Sequence, residues 1–161
     1  MTDVLWSPFA IGIGANLADR SGQMARGVSA LESMEEIRDL RVSPPVSTEP
    51  VLPDGERSDH PRYLNAVAIG RTSLDACVFM SRLLALESML GRRRSGGCTP
   101  RTLDLDLLLF ADRRIDRPGL RLPHPRLTER DFVMEPLRVL LGDAGADPFW
   151  SPFRGDVGDV G

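Results

Sequence analysis

Arg101-Thr-Leu-Asp-Leu-Asp-Leu-Leu-Leu-Phe110 is the stretch on which the fold turns. Its first half alternates apolar and polar residues and its second half is continuously apolar. That is the pattern of a strand half-buried at one end and covered on both faces at the other. The stretch is therefore expected to be a central strand with one functional end. Side chains alternate along a strand, so Asp104 and Asp106 face the same way with Cα atoms roughly 7 Å apart.

Reading outward, residues 72–91 carry helix signals. Thr72-Ser73-Leu74-Asp75 offers a capping-box start, Gly91 offers a stop, and Val78, Leu83, Leu84, Leu86 and Leu90 form an expected inward face. Tyr63-Leu-Asn-Ala-Val-Ala-Ile-Gly-Arg71 has strand composition, and its period of two puts Tyr63, Asn65 and Val67 on one face. Residues 37–47 read as an edge or interrupted strand because Pro44-Pro45 lies inside them. Residues 19–34 place Met24, Val28 and Leu31 at helical spacing, and residues 9–13 form an apolar strand expected to leave the sheet through a glycine turn at Gly14.

The order strand, helix, strand, strand, helix, strand predicts an α+β fold of the ferredoxin-like βαββαβ kind: an antiparallel sheet with two helices on one face. C-terminal additions follow, namely a turn near residues 112–119, the segment Leu122-Pro-His-Pro125 and a short helix near residues 135–141. Residues 1–161 read as a single domain. Residues 49–61 are expected to form a long loop, and residues 143–161, rich in Gly, Asp and Pro, a mobile or loosely packed tail.

The charge balance is 20 − 23 = −3, and every basic residue is an arginine. A sequence-independent nucleic-acid binder would normally be basic, so no nucleic acid is expected as a partner. No run approaches the roughly 18 apolar residues of a spanning helix, and no basic, then apolar leader opens the sequence, so no membrane partner is expected. Cys77 and Cys98 are too few for a disulfide framework or a cysteine-rich zinc site, which fits a reducing cytoplasm. The chain is expected to act as a monomer.

Chemistry gathers around the aspartate pair. Two carboxylates with open surroundings suit magnesium, which fills its remaining positions with water and substrate phosphates. Taken alone, an Asp-x-Asp is more often the polar, solvated face of a half-buried strand. Here Arg92, Arg93 and Arg94 leave a helix C-terminus just upstream, and Gly96-Gly97 make room for a loop that closes before Arg101. Arginines converging on metal-binding carboxylates would neutralise a polyphosphate, which is what phosphoryl-type transfer requires. Without lysine no Walker loop is possible, so a nucleotide must be held another way. His124 lies between Pro123 and Pro125. Tyr63 could stack on a flat heterocycle while Asn65 reads its edge.

In this order the segments resemble the 6-hydroxymethyl-7,8-dihydropterin pyrophosphokinase family. The resemblance spans about residues 10–141. It rests on Pro100 to Phe110, then Leu122-Pro-His-Pro-Arg-Leu-Thr-Glu-Arg130, then Phe132-Val-Met-Glu-Pro-Leu137. Gly14-Ala-Asn-Leu17, Ser47-Thr-Glu-Pro-Val51, Tyr63-Leu-Asn-Ala-Val67 and Leu86-Glu-Ser-Met-Leu-Gly-Arg-Arg-Arg94 support it. The resemblance implies an ATP-dependent diphosphotransferase that moves pyrophosphate from ATP to a pterin hydroxymethyl group, releasing AMP, in folate biosynthesis.

It further implies that Asp104 and Asp106 hold two Mg2+ ions. Arg92 and Arg94 would act from a closing catalytic loop, and Arg101, His124 and Arg130 would contact phosphates or nucleotide, with Glu87 and Leu107 nearby. On the pterin side, Tyr63 and Phe132 would stack, Asn65 would bond the ring edge, and Thr48 and Val51 would offer backbone groups. The sequence departs from the family at Cys98, where a tryptophan is usual, at Thr99 for glycine, at Ala15 for serine and at Leu84 for glutamine. A non-catalytic pterin- or nucleotide-binding domain of the same fold is the alternative.

Overall fold

A computed structural model describes residues 3–16, 20–49, 62–91 and 103–144. Two strands with little charge form the middle of the sheet, β1 (Ser7–Ala15) and β4 (Tyr63–Thr72), antiparallel over their length with Gly12 opposite Val67 and Gly14 opposite Asn65. β2 (Ile37–Val42) and β3 (Val46–Thr48) both pair with β4. β5 (Leu103–Phe110) pairs with the other side of β1, so the order is β2-β4-β1-β5.

The strand expected across residues 37–47 is split by its prolines, which have no N–H to give to the ladder. Ser43 bridges the break: its N–H donates to Val67 O at 2.8 Å, and its Oγ accepts from Val67 N at 2.9 Å.

The period of two sorts the sheet into two faces. Phe9, Ile11 and Ile13 meet Met24 and Leu31 of α1 (Arg20–Glu32) and Phe79 and Leu83 of α2 (Ala76–Gly91). On the other face Ala10, Val67, Ile69 and Leu109 meet Val133, Met134, Leu137 and Leu140 of α3 (Asp131–Ala144). The result is an α+β arrangement in which helices cover both faces of an antiparallel sheet.

Several sequence expectations are corrected. The 101–110 stretch is not central: β5 stands at the sheet edge. Its apolar second half reflects helices on both faces, which the pattern registers whether or not the strand has two neighbours. A bulge between Ala10 and Ile11 in the β1–β5 register breaks the alternation, so Leu108 and Leu109 both point to the α3 side.

Leu83, Leu86 and Leu90 face inward as expected, joined by Ala76, Phe79 and Glu87, whereas Val78 and Leu84 are exposed. A helix apolar nearly all round carries no clear phase in its sequence. Its N-cap is Asp75, whose Oδ1 accepts from Cys77 N and Val78 N at 2.9 and 3.1 Å. Thr72 Oγ1 instead accepts from Leu74 N.

Gly14 is not a turn but lies within β1, where its lack of a side chain shapes the site described below. A hairpin of β6 (Ile115–Arg117) and β7 (Leu120–Leu122) replaces the expected turn near 112–119. Its strands are three residues each, too short to show a period, and Gly119 takes φ 82° between them. α3 begins at Asp131, an acidic residue suited to a helix N-terminus, and runs to Ala144, two residues into the segment expected to be tail. The rest of that tail, residues 145–161, lies outside the described residues, as does most of the 49–61 loop.

Candidate active site

α3 covers one end of its sheet face and leaves the other end open. Two cross-strand rows run beneath the opening, Asn65–Gly14–Asp104 and Val67–Gly12–Asp106, each written from β4 through β1 to β5; all but Val67, which is buried under α3, line it. Asp104 and Asp106 therefore share a face, as do Tyr63, Asn65 and Val67, as each strand period predicted, and the structure puts the two sets on the same side of the sheet. The opening is a cleft of about 550 Å3 bounded by Thr48, Tyr63, Asn65, Phe132, Arg130 and the two carboxylates. Both rings expected to stack on a heterocycle line this cleft together with the amide expected to read its edge.

Asn65 is oriented from below. Its Nδ2 donates to Thr48 Oγ1 at 2.6 Å, which leaves Oδ1 and the second Nδ2 hydrogen for another partner. Thr48 thus contributes through its hydroxyl as well as its place on β3.

A second cleft of about 400 Å3 lies on the other side of Asp106, walled by Met80 of α2, the β6–β7 hairpin with Arg121, and His124. Asp106 lines both clefts. Leu107 borders the second one, although its side chain is buried in the core below α1 and α2.

His124 is tied to the sheet through its N–H, which donates to Leu108 O at 2.9 Å, and its carbonyl accepts from Leu127 N at 3.0 Å. Its Nδ1 accepts from Arg126 N at 3.1 Å, so in the neutral ring the proton sits on Nε2 and that nitrogen is a donor. Partial burial pushes its pKa below the ordinary 6.5. The Asp106 carboxylate opposes that shift, and the Arg130 and Arg126 guanidiniums add to it. The ring is therefore neutral near pH 7, a donor that carries no charge of its own.

Arg130, at the start of α3, brings a guanidinium nitrogen to 3.9 Å from Asp106 Oδ2, with the two side chains 28% and 44% exposed. At that distance and exposure it is a neighbouring charge rather than a locked ion pair. Glu87 does not face either cleft. It is 8% exposed, and its Oε1 accepts from Leu105 N at 2.6 Å, the amide between the two aspartates on the outer edge of β5. That bond satisfies an edge N–H that would otherwise be buried without a partner.

Val51, Arg92, Arg94 and Arg101 lie outside the described residues. Sequence reasoning missed Gly12, Gly14, Arg126 and Glu129, all of which line the first cleft. The Gly-Ile-Gly spacing of two on a strand was the available signal for the glycines. Arg126 and Glu129, paired at 3.4 Å, had none.

Among the described residues no group of three or more His, Cys, Asp or Glu side chains gathers, so the acidic donor set is the Asp104–Asp106 pair. Two oxygen donors with room around them suit a hard cation that keeps water and substrate oxygens in its other positions. They do not suit zinc, which takes three or four protein ligands. The donor set fits magnesium.

The family model for 7,8-dihydro-6-hydroxymethylpterin-pyrophosphokinase matches residues 10–141. The chain belongs to this family. A 2-amino-4-hydroxy-6-hydroxymethyldihydropteridine pyrophosphokinase of Pseudomonas aeruginosa is 38% identical over 133 residues, covering 83% of this chain and 80% of the relative. The protein of the same name from Bacillus subtilis is 35% identical over 127 residues, 79% of this chain and 74% of the relative. A folate synthesis bifunctional protein of Chlamydia muridarum is 33% identical over 139 residues, 84% of this chain but 30% of the relative. The chain is thus by family a pyrophosphokinase, an ATP-dependent diphosphotransferase, as the resemblance implied. The matched segment takes in both clefts and every proposed site residue.

Proposed function

We propose that this chain transfers the pyrophosphoryl group of ATP to the hydroxymethyl oxygen of 6-hydroxymethyl-7,8-dihydropterin in folate biosynthesis. The observation that carries the reading is the position of Asp106 at the junction of two clefts. One holds two aromatic rings and an oriented amide, the fittings for a flat heterocycle, and the other holds the His124 donor. Two substrates seated there meet at the carboxylate pair.

The pterin stacks between Tyr63 and Phe132 and bonds Asn65, with backbone groups of Thr48 and Val51 completing its edge. Its hydroxyl oxygen attacks the β-phosphorus of ATP in line. The new O–P bond forms as the bond from the β-phosphorus to the α,β-bridging oxygen breaks. AMP leaves with that electron pair, and the hydroxyl proton passes to solvent. Asp104 and Asp106 would hold the Mg2+ ions, two in this reading, which when bound supply charge neutralisation for the phosphates.

Nε2–H of neutral His124 donates to a phosphate oxygen, and Arg130 adds positive charge beside Asp106. Arg92 and Arg94 act on the same phosphates as the catalytic arginines, and Arg101 contacts the bound ATP. Leu107 borders the nucleotide cleft, and Glu87 bears on it by holding β5. Orientation of the two substrates supplies much of the rate.

The ferredoxin-like assignment belongs to the same proposal. It is supported by the order β2-β4-β1-β5 and by α1 and α2 sharing one face. So does a single domain over residues 1–161 that acts as a monomer in the cytoplasm with no nucleic-acid or membrane partner. A formal charge of −3 supports the first exclusion. For the second, no helix among the described residues is long and apolar enough to cross a membrane.

The test is chromatography of nucleotides after incubation with ATP, Mg2+ and the pterin. Pterin-dependent AMP is expected; ADP, or AMP formed equally without pterin, would overturn the proposal.

A further inference from the structure

In the row Asn65–Gly14–Asp104 the two outer residues carry polar side chains onto the cleft face and the middle one carries none. The outer residues are two strand spacings apart, roughly 10 Å, so the gap over Gly14 is a trough that runs from the amide to the carboxylates. A Cβ built on Gly14 would stand in that trough, 3.5 Å from Asn65 Oδ1 and 3.9 Å from Asp104 Cβ. Both distances are ordinary contacts, so neither the fold nor its backbone requires glycine here. Gly14 lies in a strand and is not among the residues with positive φ.

Gly70 shows what a structural requirement looks like, since a Cβ there would meet the Phe9 ring at 2.8 Å. Glycine inside a strand weakens it, and one that neither a turn nor close packing calls for marks a place where something else approaches the backbone.

We propose that Gly14 determines the specificity of the acceptor cleft: its missing side chain opens the trough along which the acceptor's hydroxymethyl arm reaches from the Asn65 amide to the Asp104–Asp106 pair. The inference rests on the function proposed above. The arm is small, and a methyl group on the trough floor occupies the space it needs while leaving the ring platform of Tyr63 and Phe132 and the second cleft untouched.

Gly14→Ala and Gly14→Val are compared with the unaltered chain in three measurements. These are thermal unfolding, affinity for a non-hydrolysable ATP analogue with Mg2+, and affinity for 6-hydroxymethyl-7,8-dihydropterin in the presence of that analogue. Gly14→Ala is expected to unfold no lower than the parent, to bind the analogue within about twofold, and to bind the pterin at least tenfold more weakly. Gly14→Val should weaken pterin binding further.

A pterin lacking the hydroxymethyl group separates loss of the arm's path from general damage, because its binding to Gly14→Ala should change less than twofold. Equal pterin affinity in parent and Gly14→Ala would overturn the inference and leave the proposed function standing. Absence of pterin binding in the parent would overturn both.

Discussion

Replacing Glu87 with methionine should expose how β5 is held. The carboxylate is buried and its Oε1 lies 2.6 Å from Leu105 N, the amide flanked by Asp104 and Asp106. Methionine keeps the volume and apolar stem but offers no acceptor, and the Leu105 N–H cannot be removed with it. A buried donor is therefore orphaned, at a cost of about 2–3 kcal/mol. Glu87 makes a further interaction as well, which sets this figure as a floor.

For a chain of this length each kcal/mol moves Tm by about 2–4 °C, so Glu87→Met should melt about 4–12 °C lower. Glu87→Gln retains an acceptor for the amide and should lose about 1 kcal/mol or less, a few degrees at most. Differential scanning fluorimetry on the two variants, with amide hydrogen exchange of β5, reads the effect. Exchange at Leu105 should speed up in Glu87→Met and stay close to parental in Glu87→Gln. A Glu87→Met protein that melts within about 2 °C of the parent would refute the reasoning, as would a Glu87→Gln variant as damaged as it is.

Asp106→Asn should lower turnover by roughly 10²-fold or more while leaving the melting temperature near that of the parent, because the side chain is 44% exposed and its main role is electrostatic; steady-state kinetics beside a melting curve checks both. His124 takes up its proton at a lower pH in the folded chain than its unfolded value near 6.5, so acidification from 7.5 toward 5 favours the unfolded state and removes stability. A His124→Gln variant should show a shallower fall in Tm over that range, and an unchanged slope would count against the assignment. Gly70→Ala should cost about 1–3 kcal/mol by overpacking, since its Cβ would stand 2.8 Å from the fully buried Phe9 ring, itself packed on Phe79 at 4.6 Å between centroids. Urea denaturation measures it.

What was legible in the sequence is the alternation of side chains along a strand, which holds whatever the burial. From that alternation alone Tyr63, Asn65, Asp104 and Asp106 could be put on faces that the structure brings together. Two-sided burial hid the edge position of β5, and apolar residues on the exposed side of α2, Val78 and Leu84 among them, hid the phase of that helix. Gly14 has two local explanations, a turn or an open strand, and only its pairing with Asn65 and Asp104 decides between them. The second cleft was invisible for a different reason. It brings Met80 of α2 to Arg121 and His124, on a segment far from that helix in the sequence, and its walls include a hairpin of three-residue strands.

In the proposed function the two substrate clefts meet at Asp106, beside Asp104. Paramagnetic broadening of the acceptor's methylene protons tests it most directly, with Mn2+ and a non-hydrolysable ATP analogue bound alongside the pterin. Strong broadening of those protons is expected, and its loss in Asp106→Asn while the pterin still binds. Pterin bound to the unaltered chain with sharp methylene signals would contradict it, because the reacting oxygen would then lie far from the metal the aspartates hold.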